Sequence, residues 1–147
     1  MKTIFWGLLL LSLTSFSGCN RKESNTVQPT DLGNVIGKWK LSSPGTEFTI
    51  TLDIAQKTTE GNTTTYQLTG LSPVNQYGAE ATIQLNGTVS VNSIIATKRG
   101  GSPEAMNAET TYFNSLQQVD KVELVGSKLQ LRSRDTKWSL LVYDKQL

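Results

Sequence analysis

Few side chains in this sequence have the chemistry of a catalytic or metal-binding centre. The 147 residues contain no histidine, which is the commonest metal ligand and the commonest general base near neutral pH. Serine, threonine and lysine are abundant, but a Ser-His-Asp triad cannot form without histidine, and no Ser-x-x-Lys pattern opens the predicted helix. The sequence therefore predicts no catalytic residue, no metal site and no cofactor.

The charged residues do not select a site either. Two carboxylates could serve as the acid and base of a glycosidase, but no feature of the sequence picks out two of them. No phosphate-binding loop and no zinc-ligand spacing is present. Lys98-Arg99, beside Gly100-Gly101, could contact an anionic partner, although two basic residues also simply keep an exposed loop soluble. We interpret most of the acidic side chains as solvated surface charges.

The one reactive side chain with a defined context is the thiol of Cys19, the only cysteine in the chain. Lys2, the apolar run Ile4–Leu13 and a few small residues precede it, which is the anatomy of an export signal. The apolar run has ten residues, too few to cross about 30 Å of hydrocarbon as a helix. Phe16-Ser17-Gly18-Cys19 resembles the lipobox of bacterial lipoproteins, with Phe16 where leucine is usual.

The lipobox resemblance implies that residues 1–18 are a lipoprotein signal peptide, removed by cleavage before Cys19. It also implies a diacylglyceryl thioether on the Cys19 sulfur and an acyl group such as palmitate on the new amine. Several acyl chains hold a protein durably on a membrane, whereas one chain does so only marginally. By analogy, Asn20 in place of aspartate favours the outer membrane, facing the periplasm or the surface. An ordinary secretory leader with a chance cysteine is the alternative.

Two segments follow the leader. Residues 19–32 are polar and lack periodicity, so we predict a flexible tether. Residues 33–147 form the folded domain. Because Lys2 belongs to the leader, 13 of the 14 basic residues remain against 12 acidic ones, and this near-neutral balance argues against nucleic acid as a partner. We expect a monomer.

One stretch of the domain has helical periodicity. Ser102 can cap a helix, Pro103 suits its first position, and Glu104 places a negative charge in the first turn, where the helix dipole favours it. Apolar or small side chains then recur at spacings of three and four, so that they share one face. These side chains are Ala105, Ala108, Tyr112, Leu116 and Val119. The pattern predicts one helix over about Pro103–Val119.

The rest of the domain is typical of strands and turns. Phe48, Ile50, Leu52 and Ile54 alternate with residues of the opposite face, as in a half-buried strand. Asn86-Gly87 predicts a type I′ hairpin turn, in which both central residues have φ > 0. We therefore expect an α+β, mainly β fold: a curled antiparallel sheet or small barrel of about eight strands, with the helix over an open end or face.

Several segments carry a family resemblance. Gly37-Lys38-Trp39-Lys40-Leu41 suits the opening strand of a known domain, and Asn75-Gln76-Tyr77-Gly78-Ala79 is similar to its Asn-x-Tyr-x-Gly loop. Further matching segments are Ile95-Ala96-Thr97, Pro103-Glu104-Ala105-Met106, Leu129-Gln130-Leu131 and Leu140-Leu141-Val142-Tyr143. On these residues, the region of about Gly33–Asp144 resembles the META domain, also called the HslJ-like domain.

The resemblance implies structural rather than catalytic roles for five matched residues: Trp39, Asn75, Tyr77, Glu109 and Leu116. For Glu109 in particular, it implies a hydrogen bond to a nearby backbone or strand. Members of the family resemble small envelope or secreted proteins linked to heat-shock expression, antibiotic resistance, virulence or motility. The resemblance thus implies a supporting role and identifies no active centre.

The sequence departs from the family pattern at one pair of positions. Many members carry a cysteine just before the loop asparagine and another before the helix. Here Val74 and the Gly100-Gly101-Ser102 region hold those places, so any paired-cysteine role is absent.

These observations favour a membrane-anchored, non-enzymatic lipoprotein of the bacterial cell envelope, with a binding or stress-related role. Its partners would be the membrane, through the lipid anchor, and an unidentified envelope protein or small ligand. The alternative is a carrier of a small apolar ligand, because Gly37-Lys38-Trp39 is similar to the Gly-x-Trp start of lipocalins. A carrier requires an empty interior, so a filled one would rule it out. The side chains expected to fill it are Trp39, Phe48, Leu52, Tyr112, Leu116 and Trp138.

Overall fold

The computed structural model describes residues 34–147, which form nine strands and one helix. The strands of the first half are β1 (Gly37–Ser43), β2 (Thr51–Glu60), β3 (Thr63–Leu71), β4 (Gln76–Gln84), β5 (Val89–Val91) and β6 (Ile95–Ala96). The helix α1 (Pro103–Gln117) follows, and then β7 (Val119–Val125), β8 (Lys128–Ser133) and β9 (Leu140–Lys145). Cys19 and the predicted signal peptide and tether lie outside the described residues.

Eight of the strands form one antiparallel sheet in the order β5-β4-β3-β2-β1-β9-β8-β7, and the two-residue β6 pairs with β4 beside β5. A bridge between Thr88 and Lys121 brings the two outer strands of this order, β5 and β7, next to each other. The sheet is therefore a nearly closed barrel, which leaves few unpaired strand edges. The prediction of a mainly β, small barrel-like fold of about eight strands with one helix is confirmed.

The helix begins as the sequence predicts. The Ser102 Oγ accepts a hydrogen bond from the Ala105 N–H (3.2 Å), and Pro103 occupies the first turn. Hydrogen bonds from its own backbone N–H and from Ser102 lower the pKa of the Glu104 carboxyl. The helix ends at Gln117, two residues before the predicted end. The apolar spacing continues to Val119, which is buried, but there it belongs to β7.

The alternating apolar side chains point into the barrel. Ile50, Leu52 and Ile54 are buried, and from the helix Tyr112 and Leu116 are buried as well. The strand predicted from Phe48 begins only at Thr51, although its alternation already places Ile50 inside. One amphipathic helix without a helical partner thus packs its apolar face on the sheet.

The hairpin at Asn86-Gly87 differs from the predicted type I′ turn. Gly87 has φ of 80°, whereas Asn86 is not among the residues with positive φ. The Gln84 carbonyl accepts from the Gly87 N–H (2.9 Å), and the Gln84 N–H donates to the Thr88 carbonyl (3.0 Å). This pattern is a three-residue loop, a type I turn followed by a left-handed glycine. The Asn86 Oδ1 accepts from the Thr88 N–H (3.0 Å), which favours the right-handed conformation at Asn86.

The barrel has two different ends. The turns at Gly61-Asn62, Leu85–Gly87 and Gly126-Ser127 lie at one end, together with the start of β1, and we call this the rim. The other end carries α1 and the β3–β4 loop, and we call it the helix end. Among residues 34–147, no helix has the length and the hydrophobicity that a membrane-spanning segment requires.

Candidate functional site

A cluster of polar side chains fastens α1 to the β3–β4 loop at the helix end of the barrel. The Glu109 Oε1 accepts a hydrogen bond from the Asn75 Nδ2 (2.7 Å). The Glu109 Oε2 accepts from the backbone N–H groups of Asn75 (2.9 Å) and Val74 (3.1 Å), and from the Ser72 hydroxyl. Burial acts to raise the pKa of Glu109, but these hydrogen bonds outweigh it and hold the pKa below its usual value.

Asn75 also connects this cluster to the segment that precedes the helix. Its Oδ1 accepts hydrogen bonds from the Thr97 hydroxyl and from the Arg99 N–H, both at 2.8 Å. Asn75, which is 7% exposed, therefore forms hydrogen bonds through both the Nδ2 and the Oδ1 of its side chain. The Lys98 and Arg99 side chains remain exposed, so their contact with an anionic partner stays a prediction.

Next to this cluster, three buried tyrosines form a chain of hydroxyl groups. The Tyr143 hydroxyl donates to the Tyr112 hydroxyl (3.2 Å), which lies 2.7 Å from the Tyr77 hydroxyl. The Tyr77 hydroxyl donates to the Thr51 carbonyl (2.9 Å), so the chain ends on the backbone. Burial raises the pKa of all three phenols well above the ordinary value, and they remain protonated donors.

The five residues matched by the family resemblance thus occupy different places. Asn75 and Glu109 form a hydrogen bond with each other, and Tyr77 lies two residues after Asn75, in β4. Trp39 and Leu116 are core residues instead. The Trp39 Nε1 donates to the Val35 carbonyl (2.8 Å), and the Lys145 Nζ lies 5.5 Å from the centre of the Trp39 ring.

Three contributors to these networks were not singled out from the sequence as site residues. Ser72 lies in a loop, where a serine carries no positional signal. Tyr112 was assigned to a buried face by periodicity, and this signal predicts burial without predicting a hydroxyl partner. Tyr143 was noted only as part of a segment that matches the family, which indicates neither burial nor a hydroxyl partner.

Val74 and Gly101, which lies within the Gly100-Gly101-Ser102 region singled out by the family resemblance, are neighbours in space. A Cβ atom added to Gly101 would lie 3.5 Å from the Val74 Cβ and 2.7 Å from the Val74 Cγ2. The valine side chain thus occupies the space that a side chain at position 101 would need. In this chain, packing joins the loop to the residues before the helix.

An open groove of about 650 Å³ crosses the outer face of β1–β4. Lys38 and Asp53 are paired in register across two strands within it, and neither forms an ion pair within residues 34–147. Hydroxyl, amide and apolar groups complete the lining: Thr51, Thr69, Leu71, Gln76, Gln146 and Leu147.

Gly70 is one of the residues that line this groove, and here the chain passes very close to a neighbouring strand. A Cβ atom at position 70 would lie 2.0 Å from the Thr51 carbonyl oxygen, which no side chain can tolerate without movement of the backbone.

The barrel interior, in contrast, is filled. The cavity between Leu52, Tyr66 and Leu116 measures about 20 Å³, whereas ligand pockets typically measure about 300–1,000 Å³. Trp39, Leu52, Tyr112 and Leu116 are buried, and Trp138 is half-buried against the core. Phe48 is half-buried and is not one of the side chains that pack against the core. Such a cavity has no room for an apolar ligand, which argues against the lipocalin-like alternative. Residues 34–147 also contain no group of three His, Cys, Asp or Glu side chains suited to a metal ion.

Comparison with known proteins identifies the family. A family model described as "META domain" matches residues 30–145. No curated protein and no solved structure matches this sequence. The model covers most of the 147 residues and the whole barrel, so the resemblance seen in the sequence is confirmed, and the chain belongs to the META domain family.

Proposed function

We propose that this protein is a non-enzymatic lipoprotein of the bacterial cell envelope, which acts by binding another molecule while anchored through Cys19. The observation that carries the anchoring is the position of the only cysteine, directly after an export leader that ends in Phe16-Ser17-Gly18. Asn20 favours the outer membrane over the inner membrane by analogy. The META domain is then the part that the anchor holds at the membrane.

The use of polar groups within the fold supports a non-enzymatic role. At the helix end, Glu109 accepts four hydrogen bonds from groups of the fold itself. Its lowered pKa makes it a poor proton acceptor near neutral pH, where a carboxyl group that acts as general acid or base usually has a raised pKa. The three tyrosines likewise bond to one another and to the backbone. These groups stabilise the domain, and the Glu109 carboxylate and the three tyrosine hydroxyls are therefore engaged by the fold itself.

The groove across β1–β4 supports a binding role. Its volume of about 650 Å³ lies within the usual range of small-molecule sites. Lys38 and Asp53 offer opposite charges without ion-pair partners in the described part of the chain, and Gln76 and Thr69 offer hydrogen bonds. We propose this groove as the surface that contacts a polar small ligand or a polar segment of an envelope protein.

Anchoring is tested with the variant Cys19→Ala in the full chain. We expect the wild-type protein to fractionate with membranes and its N-terminal peptide to carry the mass of the lipid groups, and we expect the variant to be released. An unmodified Cys19 in membrane-extracted wild-type protein would contradict the proposal.

Binding is tested by co-purification from the native envelope, comparing the wild type with the double variant Lys38→Gln/Asp53→Asn. Both substitutions remove charge and leave a polar side chain; Asp53→Asn also keeps the side-chain shape, whereas Lys38→Gln shortens it. The control is Glu47→Gln/Lys137→Gln, which removes one charge of each sign at exposed positions outside the groove. We expect the groove variant to lose the partner that the wild type and the control retain. Equal recovery by all three proteins would exclude the groove as the binding surface.

The family resemblance also motivates a role under envelope stress. A deletion strain would then grow more slowly than its parent under heat or detergent, and the wild-type gene would restore growth. Full restoration by the Cys19→Ala variant would separate this role from anchoring.

A further inference from the structure

The described chain begins at the rim of the barrel. Val35 is buried there and accepts the hydrogen bond from Trp39, so the residues just before β1 are fixed to the end that carries the hairpin turns. The helix α1 and the Glu109 cluster lie at the opposite end. A tether that starts at residue 19 therefore joins the domain at the rim and not at the helix end.

Two of the large apolar side chains that remain exposed in the described residues lie on the same rim. Leu85 is 41% exposed and Val125 is 40% exposed. The Leu85 N–H donates to the Asn62 carbonyl (3.1 Å), which joins two of the turns. The antiparallel bridge between Thr88 and Lys121 places the residues before Thr88 alongside those after Lys121, so that Leu85 and Val125 lie on neighbouring turns.

The charges near these two side chains nearly cancel. Lys128, which is paired with Val125 in register, forms an ion pair with Asp144. Glu60 at the β2–β3 turn and Lys145 over the Trp39 ring carry opposite charges. A rim whose charges nearly cancel, with exposed apolar side chains, does not favour a strongly charged partner.

We propose that the rim is the membrane-facing surface of the domain, with Leu85 and Val125 in contact with the boundary between headgroups and acyl chains. This inference rests on the proposed anchoring through Cys19. The 15 residues from Cys19 to Gly33 reach at most about 50 Å when fully extended, so the anchor keeps the rim near the bilayer without fixing its orientation. Leu85 and Val125 then favour the orientation in which the rim meets the lipid, because they gain free energy by leaving water. The more exposed Ile95 and Met106 lie away from the rim and so farther from the point where the tether joins the domain.

This orientation leaves the opposite end accessible. The exposed face of α1, with Met106, and the Lys98-Arg99 loop point away from the lipid. The groove across β1–β4 lies on the side of the barrel and stays open to a partner.

The test uses the full, lipidated protein in vesicles of phosphatidylethanolamine and phosphatidylglycerol. Because the Cys19 sulfur is blocked as a thioether, a cysteine introduced by Val125→Cys is the only free thiol and can carry an environment-sensitive fluorophore. The matched control is Met106→Cys, at a 51% exposed position on the helix. Quencher-labelled lipids then report which label lies near the bilayer.

We expect several-fold stronger quenching of the label at position 125 than of the label at position 106. Adding Leu85→Ser to the Val125→Cys protein should reduce the quenching at position 125 without releasing the protein from the vesicles. Equal quenching at both positions of an anchored protein would overturn the orientation and leave the anchoring intact. An unmodified Cys19 with the protein in the soluble fraction would overturn both.

Discussion

The carboxylate of Glu109 accepts hydrogen bonds from both the side-chain amide and the backbone N–H of Asn75, at 2.7 and 2.9 Å, although the two residues are 34 positions apart. One carboxylate thus fixes the height and rotation of the helix relative to the β3–β4 loop. The same oxygen atoms satisfy loop N–H groups that would otherwise lack a partner near the protein interior.

The variant Glu109→Gln tests this attachment. The glutamine amide would place an NH₂ group against loop N–H donors, and the hydrogen bonds to a full negative charge would be lost. We expect the free energy of unfolding to fall by about 1–3 kcal/mol, measured by urea denaturation. Glu47→Gln, at an exposed position, is the control and should change it little. Equal stability of the two variants would contradict the structural role of Glu109.

The lowered pKa of Glu109 predicts a pH dependence. Because the folded pKa lies below the unfolded one, the carboxylate contributes its full stabilisation above the unfolded pKa of about 4.3, and this is lost as the pH falls through the folded pKa. Wild-type protein should therefore lose more stability between pH 7 and pH 3 than Glu109→Gln. Urea midpoints at both values measure the difference, and Glu123 and Asp144, whose pKa values are also lowered, are common to both proteins. Identical losses in the two proteins would refute the prediction.

The tyrosine chain predicts an order among its phenylalanine variants. Tyr112→Phe leaves the buried Tyr143 hydroxyl without its acceptor, and this should cost about 1–3 kcal/mol of unfolding free energy. Tyr143→Phe removes only the donor at the start of the chain and should cost about 0.5–1.5 kcal/mol. Chemical denaturation of both variants measures the two costs. A greater loss in Tyr143→Phe would mean that the direction of donation is reversed.

The neighbouring positions 74 and 101 predict an engineered disulfide. The Cβ atoms would lie 3.5 Å apart, within the range found in disulfides, and cysteine at position 74 lacks the Cγ2 that crowds position 101. In a Cys19→Ser background, Val74→Cys/Gly101→Cys should oxidise and gain about 2–4 kcal/mol over its reduced form. Thiol titration and urea denaturation with and without reductant measure this gain. Two free thiols after oxidation would show that the segments are farther apart.

Two glycines in neighbouring strands should respond differently to alanine. Gly70→Ala places a methyl group against the Thr51 carbonyl and should destabilise the fold by about 2–3 kcal/mol or more. Gly78→Ala is the matched control, because its Cβ would meet nothing closer than the Leu68 carbonyl oxygen at 3.7 Å. Thermal denaturation of both variants measures the contrast. Equal melting temperatures would mean that β3 and β2 do not approach as closely as described.

Local patterns in the sequence account for the parts of this fold that local forces specify. The alternation through Ile50, Leu52 and Ile54 predicts which face is buried, because side chains on a strand alternate by geometry alone. The Ser102-Pro103-Glu104 signal locates the first turn of the helix, because capping, the fixed φ of proline and the helix dipole also act locally. The C-terminus of α1 was harder to predict, because the spacing of buried residues continues into β7 at Val119.

The parts that could not be predicted depend on contacts between distant residues. Nothing near Ser72 indicates that its hydroxyl donates to Glu109, which lies 37 residues away. The closeness of Gly70 to Thr51 likewise depends on how two strands cross. Even at Asn86, the side chain bonds to Thr88 and changes the turn type that the dipeptide alone predicts.

The pairing of β1 with β9 has a consequence for biogenesis. The first strand, β1, has β2 on one side and the last strand, β9, on the other, with Trp39 opposite Lys145. The barrel therefore cannot be completed before β9 (Leu140–Lys145) has been synthesised. Until β9 has left the ribosome, β1 keeps one edge without backbone partners, and pairings between such distant segments form slowly. For a chain exported through the leader that we propose, this delay would favour an incompletely folded state during the time in which the chain is handed over for transport.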